Sequence, residues 1–206
     1  MARQPLHTRE DFIQAAMAIV DSEGLDALSF RRLGDALGVS HTAAHNYFAN
    51  KTELLDALVG QMMDEWVDDP PPAGSSPRAT LVWLGAKVRT VFKRHPRMAP
   101  ALLATTGSAP GSTHATMLVI SLLRGTGLEG ADLVRAYQML EGYIVGWCVF
   151  EVGDSADHVA VRRARYRELG IAEFTAATAS VKMTEASNEG AFLTGLGHIL
   201  DGLGID

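Results

Sequence analysis

The chain has 206 residues, 47% of them hydrophobic, and a formal net charge of −6 at pH 7. This length allows one substantial core or two small ones, and the single cysteine, Cys148, excludes an intrachain disulfide. The acidic balance argues against a general polyanion-binding coat, although a compact basic edge could still meet phosphates. The polar N-terminus lacks the apolar stretch of a secretory signal, and no apolar run reaches the roughly 18 residues of a membrane span. We therefore expect a cytoplasmic protein with no membrane partner.

The first fifty residues carry helix start and stop signals at short intervals. Thr8 is a good N-cap for a first helix, and Gly24 is expected to end it. The spacing of apolar residues predicts a second helix over 29–37. Ser40 is then expected to cap a short third helix that ends near Phe48.

Helical spacing also dominates the rest of the chain. Asn50 opens a fourth helix, and Glu53 completes an N-x-x-E capping box. The proline-rich stretch 68–77 is a clear break. Further helices are expected at about 78–94, 97–105, 112–123, 131–152, 157–169 and 189–203, with 171–188 unassigned. No alternating strand pattern occurs, so the sequence predicts an all-α protein: an N-terminal three-helix helix-turn-helix unit followed by a larger C-terminal helical bundle.

The segment 29–51 has the spacing of a helix-turn-helix, in which two short helices meet at a Gly-Val-Ser turn. Gly34 would let the helices approach closely, and Val39 would fill the space between them. The second helix of such a unit can enter a DNA major groove about 12 Å wide. The polar side chains that it would offer to the groove are His41, Thr42, His45 and Asn46.

From Leu6 to about Trp66 the sequence resembles the TetR family of bacterial repressors. The resemblance lies in the string L-G-V-S, in the aromatic pair Tyr47-Phe48, and in the motif N-K-x-x-L-L that starts at Asn50. More loosely, F-L-T-G-L-x-x-I-L-D-G-L over 192–203 is similar to the C-terminal dimerisation helix of that family. The resemblance implies a DNA-binding domain over 1–50 and a ligand-binding and dimerisation domain over 51–206.

By position, the resemblance implies that Thr42, His45 and Tyr47 touch DNA and that Lys51, at a helix start, holds a phosphate. Arg31 and Arg32, in the first turn of the second helix, are expected to flank the DNA backbone. Alternatives stay open, since Tyr47 could be a core residue and Lys51 an ordinary solvated lysine. The four-residue spacing of the two histidines at 41 and 45 is that of metal ligands, but no third ligand is evident, so no metal is expected.

The C-terminal half has two strongly apolar helices with small residues. Gly142 and Gly146 form a ridge in the first, and Gly195 and Gly197 give the last helix the same character. Two such helices from each of two chains would form a four-helix interface, so we expect a homodimer that reads a pseudo-palindromic site. Packing within one chain is the alternative.

An apolar pocket for a largely apolar small molecule is expected inside the bundle. Its candidate lining residues, any of which could instead be core, are Trp83, Met98, Leu102, Met117, Ile120, Tyr137, Glu141 and Trp147. Because a buried unpaired carboxylate is costly, Glu141 must be protonated, paired with a cation, solvated at the pocket wall, or on a part of the helix that reaches water. As a pocket residue it would await a donor or cationic group on the ligand; as a structural residue it would be paired inside the chain or across the dimer.

The sequence contains no catalytic constellation that spacing alone could justify. The run 125–130 satisfies G-x-G-x-x-G, but it follows a helical segment and not a strand, so we interpret it as a loop between helices. The sequence therefore predicts a non-enzymatic repressor of operator DNA that a small molecule releases, without a cofactor. A helical enzyme or cofactor-binding bundle with a vestigial helix-turn-helix is the alternative.

Overall fold

The computed structural model describes residues 7–67, 71–105, 110–153 and 157–206. In these ranges the chain forms α-helices and short 3-10 segments and has no β-strand, which confirms the all-α prediction. The helices are α1 (Arg9–Glu23), α2 (Phe30–Leu37), α3 (Lys51–Val67), α4 (Pro77–Arg94), α5 (Ala99–Ala104), α6 (Pro110–Gly125), α7 (Gly130–Val152), α8 (His158–Glu168), α9 (Ala172–Ala177) and α10 (Val181–Gly202). None of the described helices is long and apolar enough to cross a membrane.

The caps that the sequence predicts set the bounds of α1. The Thr8 hydroxyl accepts a hydrogen bond from the Asp11 amide at 3.2 Å, and the Asp11 carboxylate accepts one from the Thr8 amide at 2.7 Å. These two bonds satisfy amides that have no partner inside the helix. At the other end, Gly24 has a φ of 90°, which favours glycine and ends the helix as predicted.

The expected third helix is present only as a 3-10 segment, Ala43–Asn46. Its amides bond three residues back, as in His45 N–H to the Thr42 carbonyl at 3.2 Å. The segment is short, and apart from its two alanines the stretch 40–48 consists of residues of weak helix propensity, which favours this tighter geometry over a regular α-helix. The N-terminal unit therefore consists of α1, α2 and this segment.

Helix α3 belongs to both halves of the molecule. It starts at Lys51, where the Asn50 side chain accepts from the Glu53 amide at 2.9 Å and Glu53 accepts from the Ala49 amide at 2.7 Å. Leu54 and Leu58 are fully buried in the same hydrophobic cluster that contains the core of α1 and the inner face of α4. The N-terminal unit is thus packed onto the bundle through a continuous apolar core.

A buried ion pair joins α4 to α7. The Arg89 guanidinium donates to both carboxylate oxygens of Glu151, at 2.8 and 2.7 Å, and the Trp147 indole donates to Glu151 at 3.1 Å. Next to this pair, burial raises the pKa of the Cys148 thiol to about 12, so the thiol stays protonated near neutral pH. Cys148 is therefore a packed side chain, as its apolar sequence neighbours indicate.

The last helix is longer than expected, since α10 begins at Val181 instead of about residue 189. Ser180 caps it by accepting from the Met183 amide at 3.2 Å. The residues that the added turns bury, Thr184 and Asn188, are polar, so this stretch lacks an apolar stripe. The G-x-G-x-x-G run lies between the end of α6 and the start of α7, which confirms its assignment as a loop.

Glycine in α10 serves packing inside the chain. The Tyr143 hydroxyl of α7 donates to the Phe192 carbonyl of α10 at 2.8 Å, and the two rings stack at 5.7 Å. A Cβ at Gly195 would overlap the Tyr143 hydroxyl. Gly195 therefore lets α7 and α10 of one chain meet, whereas Gly142 and Gly146 have no described atom within 4 Å of a Cβ built on them.

Candidate DNA-binding surface and effector cavity

The turn between α2 and the 3-10 segment has the close approach of a helix-turn-helix. A Cβ at Gly34 would lie 2.9 Å from the Val39 carbonyl oxygen and 3.1 Å from His41 Cα. Gly38 has a left-handed φ of 66° and ends α2, as the sequence predicts. Glycine at 34 therefore fixes how closely the second element packs on the first.

The recognition segment, residues 40–48, buries Ala44 and Phe48 and turns its polar side chains outward. The Thr42 and Ser40 hydroxyls share a hydrogen bond of 2.8 Å, and the His45 ring lies 4.4 Å from the ring of Phe30. These contacts orient the polar groups without burying them. The predicted base-reading residues that the structure leaves exposed on this segment are His41, Thr42, His45 and Asn46.

Tyr47 is oriented toward the protein in this structure. It is half-buried, its hydroxyl donates to the His7 carbonyl at 2.7 Å, and its ring lies 5.2 Å from that of Phe12. The sequence left two roles open for Tyr47, DNA contact and core packing. The contacts in this structure are those of packing, because they hold His7 before α1 and the inner face of α1. DNA contact by Tyr47 stays a prediction.

The three predicted phosphate-contacting cations differ in their surroundings. Lys51 is exposed at the first position of α3, beside the free amides of the helix N-terminus. Arg31 is also exposed, but the guanidinium of Arg32 pairs with Glu23 of α1 at 2.5 Å. Hydrogen bonding from Arg32 lowers the pKa of Glu23. Arg32 therefore joins α2 to α1, and its guanidinium could contact a phosphate only while also pairing with Glu23 or after leaving it.

A cavity of about 400 Å³ lies among helices α3 to α7. This volume is in the range of roughly 300–1,000 Å³ that is typical of small-molecule sites. The residues that line it are Val59, Met63, Leu81, Leu84, Gly85, Val88, Leu102, Leu103, Thr105, Ser112, Ala115, Thr116, Val119, Tyr137, Leu140, Glu141, Ile144 and Val145. Most are apolar, so the cavity suits a largely apolar molecule.

The polar groups of the cavity form a short chain on α6 and α7. The Tyr137 hydroxyl donates to Glu141 Oε1 at 2.7 Å and lies 3.2 Å from the Thr116 hydroxyl. Burial raises the pKa of Tyr137, and the neighbouring Glu141 carboxylate adds to this shift. The Ser112 hydroxyl is buried with no hydrogen-bond partner among the described residues. Glu141 is exposed, so of the states left open by the sequence it has the solvated one, at the cavity wall.

Three of the eight predicted ligand-binding residues line this cavity: Leu102, Tyr137 and Glu141. The other five are not among its lining residues: Trp83, Met98, Met117, Ile120 and Trp147. The sequence missed the polar residues Ser112 and Thr116, as well as Val59 and Met63 of α3. Helical periodicity identifies an inward face, but it does not show where that face borders a space.

Packing explains where the five other residues lie. Met98 is fully buried in the core, whereas Met117 is 53% exposed. Ile120 packs against a second hydrophobic cluster, which includes Leu140 of α7 and Leu196 of α10. Trp147 contacts Phe192 of α10 in the same cluster. Trp83 is half-buried, with the Lys87 ammonium 5.2 Å from its ring centre.

Helix α3 connects the cavity to the DNA-binding surface. Val59 and Met63 form part of the cavity wall, and Lys51 begins the same helix. At 1.5 Å per residue, Val59 lies only about 12 Å along the axis from Lys51. A ligand that displaces the wall at Val59 would therefore move the helix start.

A polar contact joins the same two regions. His95, the C-cap of α4, lies 2.8 Å from the Asp21 carboxylate of α1 through Nδ1 and 3.1 Å from Glu65 of α3 through Nε2. Arg97 donates to the Asp21 and Ser22 carbonyls at the end of α1. The bundle thus holds both α1 and α3 where α4 ends.

Comparison with known proteins identifies the family. Residues 12–58 match the family of bacterial regulatory proteins called tetR, and residues 70–205 match the tetracyclin repressor-like C-terminal domain. The transcriptional repressor DrrR1 of Streptomyces coeruleorubidus is 30% identical over 144 residues, which are 69% of this chain but only 53% of that repressor. The class A tetracycline repressor of Escherichia coli is 28% identical over 93% of this chain and 88% of its own length.

A solved structure agrees with these matches. A possible TetR family transcriptional regulator from Streptomyces coelicolor A3(2) superimposes with a TM-score of 0.75 at 25% identity, over 95% of this chain and 98% of that one. The second family match alone covers more than half of the chain. The chain belongs to the TetR family of transcriptional regulators.

Proposed function

We propose that this protein is a dimeric transcriptional repressor in the cytoplasm that binds pseudo-palindromic operator DNA and leaves it when a small molecule fills the cavity. The observation that carries the proposal is the sharing of α3 by the cavity wall, at Val59 and Met63, and by the DNA-binding surface, at Lys51. Residues 1–50 would bind DNA and residues 51–206 would bind the ligand and the second chain.

The recognition segment supports the DNA-binding part of the proposal. Its exposed hydroxyl, imidazole and amide groups are donors and acceptors of short reach, and the segment is narrow because Ala43 and Ala44 are small. Such a surface fits a major groove, where each base pair presents a distinct pattern. Of the relatives described above, DrrR1 is named a transcriptional repressor and the Escherichia coli protein a tetracycline repressor.

The dimer supplies the geometry that makes release sensitive. Two recognition segments must lie one DNA turn apart, roughly 34–36 Å. A small rotation of α3 in each chain would change this separation. A coupling free energy of about 1–3 kcal/mol between ligand binding and DNA binding corresponds to a roughly 5- to 150-fold loss of operator affinity. The open face of α7 around Gly146 supports the proposed contact between chains.

The cavity chemistry supports binding without catalysis. In the described part of the chain, its lining residues include one carboxylate but no histidine, lysine or cysteine. The Tyr137 and Thr116 hydroxyls lie within hydrogen-bond distance of each other, and the hydroxyl that donates to Glu141 is the phenol of Tyr137, whose raised pKa keeps it protonated and weakly nucleophilic near neutral pH. We propose that the ligand leaves the cavity chemically unchanged.

The test is to sequence the genomic DNA fragments that the protein retains, using the genome that encodes it. We expect the retained fragments to share a pseudo-palindrome, and we expect a Thr42→Ala, Lys51→Ala double variant to lose them. Equal retention by this double variant, or fragments without a common sequence, would contradict the proposal. Sedimentation of the same samples checks the dimer.

A further inference from the structure

We propose that the effector is an apolar molecule carrying a protonated amine, and that Glu141 is the residue that recognises this cation. This inference rests on the proposed function, because it assigns a chemical class to the ligand of the same cavity. It also assigns a role to Glu141, which among the described residues that line the cavity is the only formally charged one.

The charge balance of the cavity is one-sided. The lining residues that the structure describes include no lysine, arginine or histidine. Two arginines of the helices that line the cavity are engaged elsewhere, Arg89 of α4 with Glu151 and Arg135 of α7 with Asp132. Among the described residues, Glu141 is not part of an ion pair, so a ligand would meet an uncompensated negative charge.

Hydrogen bonding fixes the carboxylate in place. The Tyr137 hydroxyl donates to Oε1 of Glu141 and holds it one helical turn away on the same face of α7. A carboxylate accepts several hydrogen bonds, so Oε2 can still accept from an ammonium group on the ligand. The ring of Tyr137 lines the cavity beside it and offers a further favourable surface to a cation.

Desolvation then selects the ligand. The Glu141 side chain is exposed to solvent, and an ion pair in water is worth little. A molecule that fills the apolar space displaces that water, and a cation on it is tolerated only where an opposite charge replaces the lost hydration. An anionic ligand would meet like charge at the same point, and a neutral one would leave the negative charge of the partly dehydrated carboxylate uncompensated.

The test uses three probes that share one apolar ring system and differ in charge: naphthylmethylamine, naphthalenemethanol and naphthoate. Their dissociation constants are measured by calorimetry on the full chain without DNA at neutral pH. We expect the amine to bind about tenfold or more tightly than the alcohol, a difference of roughly 1.4 kcal/mol, and the carboxylate to bind most weakly.

The variant that isolates the charge is Glu141→Gln, because its amide oxygen can still accept from Tyr137. We expect it to lose the preference for the amine while binding the alcohol as the wild type does. Glu129→Gln, which removes an exposed charge directly before the same helix and outside the cavity, is the matched control and should keep the preference. Thermal unfolding of both variants checks that the fold is intact.

Three outcomes overturn the inference: a wild type that binds none of the probes, one that binds the alcohol as tightly as the amine, or a Glu141→Gln variant that keeps the preference. An unfolded Glu141→Gln variant would also overturn it, because the residue would then be structural. Since these measurements use no DNA, they are independent of operator release. If a different class of molecule releases the protein from its operator, the cationic ligand is refuted and the proposed function stands.

Discussion

The imidazole of His95 lies 2.8 Å from the carboxylate of Asp21, and this contact fastens the end of α4 to α1. On its other side the same ring meets Glu65 of α3 at 3.1 Å. Arg94 also pairs with Glu65, and Arg97 donates to backbone carbonyls at the end of α1. Because both imidazole nitrogens face carboxylates, the protonated ring, which donates from both, fits this position best.

This arrangement predicts a pH-dependent stability. Burial alone lowers the pKa of His95, but the hydrogen bond to Asp21 and the charges of Asp21 and Glu65 outweigh it, so the pKa is raised. Because the folded state binds this proton more tightly than the unfolded state, protonated His95 stabilises the fold. The contribution is fully present below the unfolded pKa of about 6.5 and is lost as pH rises through the folded pKa. Urea unfolding between about pH 6 and pH 8.5 should therefore show a smaller decline in stability for His95→Gln than for the wild type. His198→Gln, at an exposed position of α10, should behave as the wild type, and an unchanged decline in His95→Gln would contradict the assignment.

Gly34→Ala should destabilise the helix-turn-helix. Alanine gains up to about 1 kcal/mol of helix propensity over glycine, but its Cβ would lie 2.9 Å from the backbone oxygen of Val39. Backbone cannot yield cheaply, and overpacking of this kind typically costs about 1–3 kcal/mol. Chemical denaturation should show a net loss of stability, with weaker operator binding. The matched control is Gly190→Ala in α10, where the added Cβ meets no described atom within 4 Å and stability should rise slightly.

Lys51→Ala should weaken DNA binding about equally for all sequences. The residue is exposed at the N-terminus of α3, where an ammonium and free amides can hold one phosphate. Each phosphate contact contributes about one unit to the dependence of log affinity on log salt concentration, so the slope should fall by roughly one per chain. Titrations of operator DNA with the protein at several salt concentrations measure this slope. Lys182→Ala, at an exposed position of α10, is the control, and a wild-type slope in Lys51→Ala would refute phosphate contact.

Thr42→Ala should act on sequence preference instead. The Thr42 hydroxyl is exposed on the recognition segment and is oriented by Ser40 at 2.8 Å. Loss of one specific base contact costs about 1–3 kcal/mol and should relax the preference at particular positions of the operator. A library of single-base operator variants, measured with the wild type and Thr42→Ala, would show this. Thr42→Ser keeps the hydroxyl and should retain the preference, and a uniform loss at all positions would indicate a phosphate contact.

Gly146→Leu should convert the proposed dimer into a monomer. No described atom lies within 4 Å of a Cβ at this position, so the chain itself can accommodate the larger side chain. A second chain packed on α7 could not. Sedimentation should show the monomer, whereas Gly125→Leu, at an open position at the end of α6, should stay dimeric. A dimeric Gly146→Leu variant would place the interface elsewhere.

Local signals in the sequence were sufficient for the secondary structure and the family. The capping box at Thr8, the glycine stops at residues 24 and 38 and the Asn50–Glu53 cap act over three or four residues, so their effect can be read without the fold. The recognition segment and the start of α10 were the exceptions. In the recognition segment local helix propensity is weak, and the start of α10 buries polar residues and has no apolar stripe, so packing sets the geometry of both.

The cavity could not be derived in the same way. Trp83, Met98 and Leu102 all look like pocket residues in the sequence, yet only Leu102 lines the cavity. A helical face turned inward meets either another side chain or empty space, and the sequence pattern is the same in both cases. The pairing of His95 with Asp21, 74 residues apart in sequence, is likewise decided only when α1, α3 and α4 pack together.

The sequence by itself determined the helices, their caps and the family, because those depend on neighbouring residues. Only the tertiary structure decided which apolar side chains border a cavity and which charges meet, because those depend on distances between helices.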